Sequence, residues 1–134
     1  MSKLDDIQIR VESAPWATGN ALPILHEIRH ALLELLESGQ ETAIDLSALP
    51  LGPADETRLL EVLGNGELEA RLNALGKSII RETRISGVWL IEHFNADEQL
   101  MGRFIEVTYL PAILKSQPED IRQGLAALTE RLTQ

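Results

Sequence analysis

Apolar and polar residues alternate most regularly between Gly64 and Tyr109, and this stretch organises the chain. Leu68, Ala70 and Leu72 recur at every second position. The runs SIIRETRISG, VWLIEHF and LMGRFIEVTYL follow, separated by corners rich in Gly, Asn and Asp. In VWLIEHF, Val88, Leu90 and Glu92 share one side and Trp89, Ile91 and His93 the other. In the last run, Phe104, Glu106 and Thr108 oppose Ile105, Val107 and Tyr109. A period of two between short turns predicts four strands in an antiparallel meander.

Outside the meander the period lengthens. Leu25, Ile28, Leu32, Leu35 and Leu36 fall at helical spacing after Asn20, a candidate N-cap, with Pro23 in the first turn and Gly39 as the stop. Leu59, Leu60, Val62 and Leu63 give a second helix its buried side. It opens at Pro53, carries Asp55 and Glu56 near its positive end, and closes at Gly64. Ile121, Leu125, Leu128 and Leu132 stripe a third helix after Pro118, and Ala112–Leu114 fits a single helical turn. Ala43 to Leu46 reads as a short strand. Alternation at Ile7, Ile9 and Val11 predicts another over residues 4–12, broken by Pro15 and Gly19, with Trp16 packing over a core edge or a partner subunit. The order strand, helix, short strand, helix, four strands, helix predicts one α+β domain over residues 1–134. Its two layers are an antiparallel sheet and helices on one face.

Composition narrows the function more than the fold. A net charge of −9 opposes nucleic-acid binding, which needs cations to displace counterions, and favours partners with a basic face. The absence of cysteine removes disulfides, thiolate metal sites and a Cys nucleophile together. No apolar run approaches the ~20 residues of a membrane-spanning helix. The start, MSKLDDIQIR, is too acidic for a signal peptide. A cytoplasmic location is expected.

Candidate chemistry is sparse. His26, Glu27, Ile28, Arg29 and His30 fit the H-E-x-x-H spacing, in which two imidazoles on one helix face hold zinc and the Glu acts as general base. Such a site needs a third ligand, for which His93 or a carboxylate is the candidate. The same residues also make an ordinary solvated face of an amphipathic helix. Gly64-Asn65-Gly66 lacks the Lys and Ser/Thr of a phosphate loop, and no G-x-S-x-G elbow is present. No catalytic residues are assigned, and neither a resident metal nor another cofactor is expected. A nickel- or zinc-handling protein using His26, His30 and His93 is the alternative.

Three separated motifs carry a resemblance. LPLGPADETRLLEVLGNGELEARL, IIRETRISGVWLIEH and FIEVTYLPAIL occur in that order over roughly residues 44–115. Together they resemble the C-terminal conserved region of the HupH/HyaF hydrogenase-expression proteins. The matching positions are Pro50, Gly52, Pro53, Asp55, Gly64, Gly66, Glu67, Ile80, Arg81, Glu82, Thr83, Gly87, Val88, Trp89, Glu106 and Pro111. Members of that family are often about twice as long as this chain, which favours self-association here.

The resemblance implies an accessory protein, not an enzyme, in the maturation of nickel–iron uptake hydrogenases. Its implied partners are the large subunit or its precursor, or other maturation proteins, with a homodimer as a further expectation. Arg81, Glu82, Thr83, Trp89 and Glu106 are the candidate partner-binding residues. Two arrangements are open for them. Arg81 pairs with a buried carboxylate, for which Glu106 is a candidate, or Arg81 and Trp89 form an exposed patch of the kind enriched at interfaces. For Trp89, core packing is the leading expectation.

Overall fold

The computed structural model describes residues 19–133; the strand expected over residues 4–12, and Trp16, lie outside them. Helix α1 (Ala21–Ser38) leads to β1 (Thr42–Asp45), a 3-10 turn at Leu46–Ala48 and α2 (Pro53–Leu63). Strands β2 (Glu69–Asn73), β3 (Lys77–Glu82), β4 (Val88–Phe94) and β5 (Leu100–Val107) follow. A second 3-10 turn at Ala112–Leu114 precedes α3 (Pro118–Leu132). The sheet runs β1-β5-β4-β3-β2 with every pair antiparallel. The meander is therefore as expected from the alternation, and β1 extends it along the free edge of β5.

Register assigns every strand residue to one of two faces. Ile44, Val88, Leu90, Ile105 and Val107 face α1 and α2 and close the main core with Ile24, Ile28, Leu35, Leu59 and Leu63. Burying each such side chain is worth about 1.5–3 kcal/mol, so this layer dominates stability. The opposite face carries a smaller cluster of Ile80, Trp89 and Ile91, against which Ala70, Leu72, Phe104 and Leu114 pack. The result is the predicted two-layer α+β arrangement, with α1 and α2 as the helical layer. Helix α3 takes no part in that layer: all its described residues are exposed.

The inward face of α1 is shifted from the one its leucines predict. Its buried residues are Ala21, Ile24, Ile28, Ala31 and Leu35, while Leu36 points to solvent. Small side chains at positions 21 and 31 occupy the inward side, which leucine spacing alone does not reveal. Asn20 makes no capping bond. Its Nδ2 instead donates to the Pro50 carbonyl at 2.6 Å, tying the start of α1 to the loop before α2. The α1 stop is as predicted: Gly39 takes φ +76° and donates its N–H to Leu35.

The turn after α2 uses its two glycines differently. Gly64 takes φ +66°, a left-handed conformation that glycine adopts without a Cβ penalty. Gly66 is needed for close approach instead. Its N–H donates to Glu82 at 2.8 Å, and a Cβ there would stand 2.6 Å from the Thr83 carbonyl oxygen. Among the described residues no helix is long and apolar enough to cross a membrane.

Candidate partner-binding site

On the helix-covered face the apolar core gives way, toward the far end of the strands, to a row of charges. Pairing of Arg81 with Leu90, and of Glu92 with Arg103, places Arg81, Glu92 and Arg103 on one side of three adjacent strands. Arg81 Nη2 donates to Glu92 Oε1 at 3.0 Å. Arg103 donates to Glu92 Oε2 through Nε at 3.0 Å and Nη2 at 2.7 Å. Arg103 also pairs with Glu56 in the first turn of α2, which fastens the helix to the sheet. Burial lowers the Arg103 pKa from its usual value. Two cations and two carboxylates balance, and Glu92, only 7% exposed, is the hub.

The carboxylate that holds Arg81 is therefore Glu92 and not Glu106, which lies on the opposite face. A signal for this was present in the alternation. Glu92 shares its parity with Val88 and Leu90, and Arg103 shares its parity with Ile105 and Val107, so both strands carried a charge on the core side.

Thr83, directly after β3, is buried and closes the turn to β4. Its hydroxyl lies 3.1 Å from the Ile85 carbonyl and 2.9 Å from that of Val88, and it accepts the Ile85 N–H at 3.2 Å. Arg81 and Thr83 also line an open cleft of about 490 Å³ between α2, the Gly64–Gly66 turn and β3. Thr57, Leu60, Glu61 and Asn65 form its outer wall. This cleft is where motif residues reach a concave surface.

Glu82, Trp89 and Glu106 sit side by side on the other face, in register across β3, β4 and β5. Trp89 is 4% exposed, and its indole N–H donates to the Thr108 carbonyl at 3.1 Å. An exposed Arg81–Trp89 patch is thus ruled out by geometry, because the two side chains leave the sheet in opposite directions and Trp89 is core. Glu106 is held above its usual pKa, first by burial and then by the negative charge of Glu41, with His93 acting in the opposite sense. Glu41 itself accepts the Thr108 hydroxyl.

The two helix histidines are brought to no third ligand. His26 and His30 are exposed on α1, with His30 3.8 Å from Glu34. His93 lies across the sheet, edge-on to Phe104, with Nδ1 2.7 Å from Ser78 Oγ. Among the described residues no group of three His, Cys, Asp or Glu side chains is placed to hold a metal ion.

Asp55 is fully buried. Its Oδ2 accepts the Gly52 N–H at 3.0 Å and its Oδ1 the Gly19 N–H at 3.1 Å, so one carboxylate both caps α2 and ties it to the segment before α1. Its position three residues after the cap of α2 is the sequence signal for half of that role.

Comparison with known proteins places this geometry. The family model for the HupH hydrogenase expression protein, C-terminal conserved region, matches residues 18–134, a wider span than the motifs alone cover. The hydrogenase expression/formation protein HoxQ of Azotobacter vinelandii is 33% identical over 113 residues, 83% of this chain and 40% of that protein. HoxQ of Cupriavidus necator is 31% identical over 122 residues, 91% of this chain and 43% of its own length. The chain thus spans about two fifths of these relatives. A solved structure, the hydrogenase expression protein HupH from Thiobacillus denitrificans, superposes with a TM-score of 0.84 at 44% identity, covering 87% of this chain and 98% of that one. With the match running through the whole described fold, the chain belongs to the HupH hydrogenase expression protein family, in its C-terminal conserved region.

Proposed function

We propose that this chain is a non-catalytic assembly factor in nickel–iron hydrogenase maturation, acting in the cytoplasm as a homodimer. In this reading it binds the hydrogenase large subunit or its precursor in the cleft beside Arg81. Membership of a family named for hydrogenase expression and formation supports the maturation role. The observation that carries the docking site is the cleft itself. It is the place where the motif residues Gly64, Arg81 and Thr83 meet a surface wide enough for a peptide segment. The ion network behind Arg81 holds that wall rigid, which lowers the ordering cost of binding.

A tagged chain expressed with the hydrogenase operon tests this. Glu61 lines the cleft with its side chain 64% exposed and pairs at 3.7 Å with Arg58 one turn earlier, so Glu61→Lys alters the wall and gives up that ion pair while leaving the apolar core in place. Wild type should retain the large-subunit precursor, and Glu61→Lys should retain several-fold less while giving up only about 1 kcal/mol of stability with the Arg58 pair. Recovery of a different hydrogenase component without the large subunit would overturn the partner assignment. Undiminished capture by Glu61→Lys would overturn the cleft.

A further inference from the structure

Helix α3 is amphipathic yet buries nothing. Ile121, Leu125, Leu128 and Leu132 are each more than half exposed. Lys115, Ser116 and Gln117, all exposed, separate the helix from the 3-10 turn whose Leu114 still packs on the sheet. The four apolar residues are spaced four, three and four apart, the alternation of a two-helix seam. Isolated helices of this length are marginal in water, so a partner surface is required to hold it.

We propose that α3 is the self-association element of this protein, pairing antiparallel with α3 of a second copy about a twofold axis near Ala126 and Ala127. This deepens the homodimer part of the proposed function. The stripe is symmetric about its midpoint, so a twofold rotation sets Ile121 against Leu132 of the other copy and Leu125 against Leu128. That self-complementarity is what an isologous contact requires. Gly124, beside the seam, has nothing near the position of a Cβ. It weakens an isolated helix and suits close approach of two backbones.

Charge selects the antiparallel sense. Asp120 and Arg131 lie on the same flank of α3, three turns apart. An antiparallel twofold brings Asp120 of each copy beside Arg131 of the other, while Arg122 meets Thr129. Parallel pairing would set the two acidic first turns, Glu119 and Asp120, side by side. Covering the stripe on both copies removes roughly 1,000 Å² from water, below the ~1,200–2,000 Å² of a stable interface and in the range of weak, transient ones. The dimer should be reversible and dissociate in the micromolar range.

Sedimentation equilibrium of the full chain over a range of micromolar concentrations, for wild type and for Leu125→Glu/Leu128→Glu, tests the proposal. Wild type should shift from monomer to dimer while the variant stays monomeric with the same melting temperature. Because the chain has no cysteine, Ile121→Cys and Leu132→Cys proteins can report register. Mixed, they should form a heterodimeric disulfide, and each alone should cross-link poorly. A wild type that remains monomeric throughout overturns the proposal. A dimer that persists in the glutamate variant overturns this surface while leaving dimerisation intact. Cross-linking by Ile121→Cys alone overturns the antiparallel sense. Loss of hydrogenase-subunit capture by the glutamate variant of a monomeric wild type would assign the stripe to that partner instead.

Discussion

Replacing Glu92 with Gln keeps the side-chain shape and removes the charge that holds two arginines. The wild-type carboxylate accepts three N–H groups, one from Arg81 and two from Arg103, at 2.7–3.0 Å. A hydrogen bond to a charged group contributes about 1.5–3 kcal/mol, and stranding a buried ion costs about 3–5 kcal/mol. Three facts reduce that figure. The Arg81 and Arg103 side chains keep 34% and 22% of their exposure, so water screens part of the loss, and Arg103 retains Glu56. Gln also leaves one oxygen to accept. The net expectation for Glu92→Gln is about 2–3 kcal/mol of destabilisation, a fall of about 1–2 M in the urea midpoint at an ordinary slope. Combining it with Arg81→Met should recover about 1 kcal/mol relative to additivity, since one stranded cation is then gone. Urea unfolding followed by tryptophan fluorescence reads both. A single-variant loss below about 0.5 kcal/mol would refute the network as a structural hub.

Three further outcomes follow from the same geometry. Asp55→Asn retains volume but can serve only one of the two N–H donors, from Gly19 and Gly52, and should cost about 2–3 kcal/mol in the same assay. Gly66→Ala forces a methyl against the Thr83 and Glu82 carbonyl oxygens and should cost about 1–3 kcal/mol, with protection lost first in amide exchange at the start of β2. Glu106 has a folded pKa raised above the usual 4.5, so its favourable contribution is complete below the unfolded pKa and is lost as pH rises through the folded one. Glu106→Gln should therefore match wild type in acid and exceed it at neutral pH. A melting-temperature difference that did not grow with pH would count against the shift.

How much of this was legible beforehand depends on whether a feature is local. The four meander strands and their corners follow from period-two alternation and glycine placement, and the structure reproduces them within a residue or two. The α1 face was read in part: Ile28 and Leu35 are buried and Leu25 and Leu32 pack against the core, but Leu36 faces solvent, because leucines at 32, 33, 35 and 36 supply apolar residues on several sides. The small Ala21 and Ala31, with Ile24, complete the inward face and turn it away from Leu36. The partner of Arg81 was misassigned because both Glu92 and Glu106 lie on later strands, and only register tells which shares its face. His26 and His30 satisfy a local spacing, but a third ligand is a tertiary fact, and the sheet stands between them and His93. Pairing of β1 with β5 joins residues far apart in sequence and leaves no local trace.

The most direct test of the central claim is affinity capture from cells carrying the complete hydrogenase operon, with the captured proteins identified by mass spectrometry. A hydrogenase large-subunit precursor should be retained by wild type and depleted with Glu61→Lys. Capture of no hydrogenase component, in cells where the hydrogenase is being matured, would contradict the account.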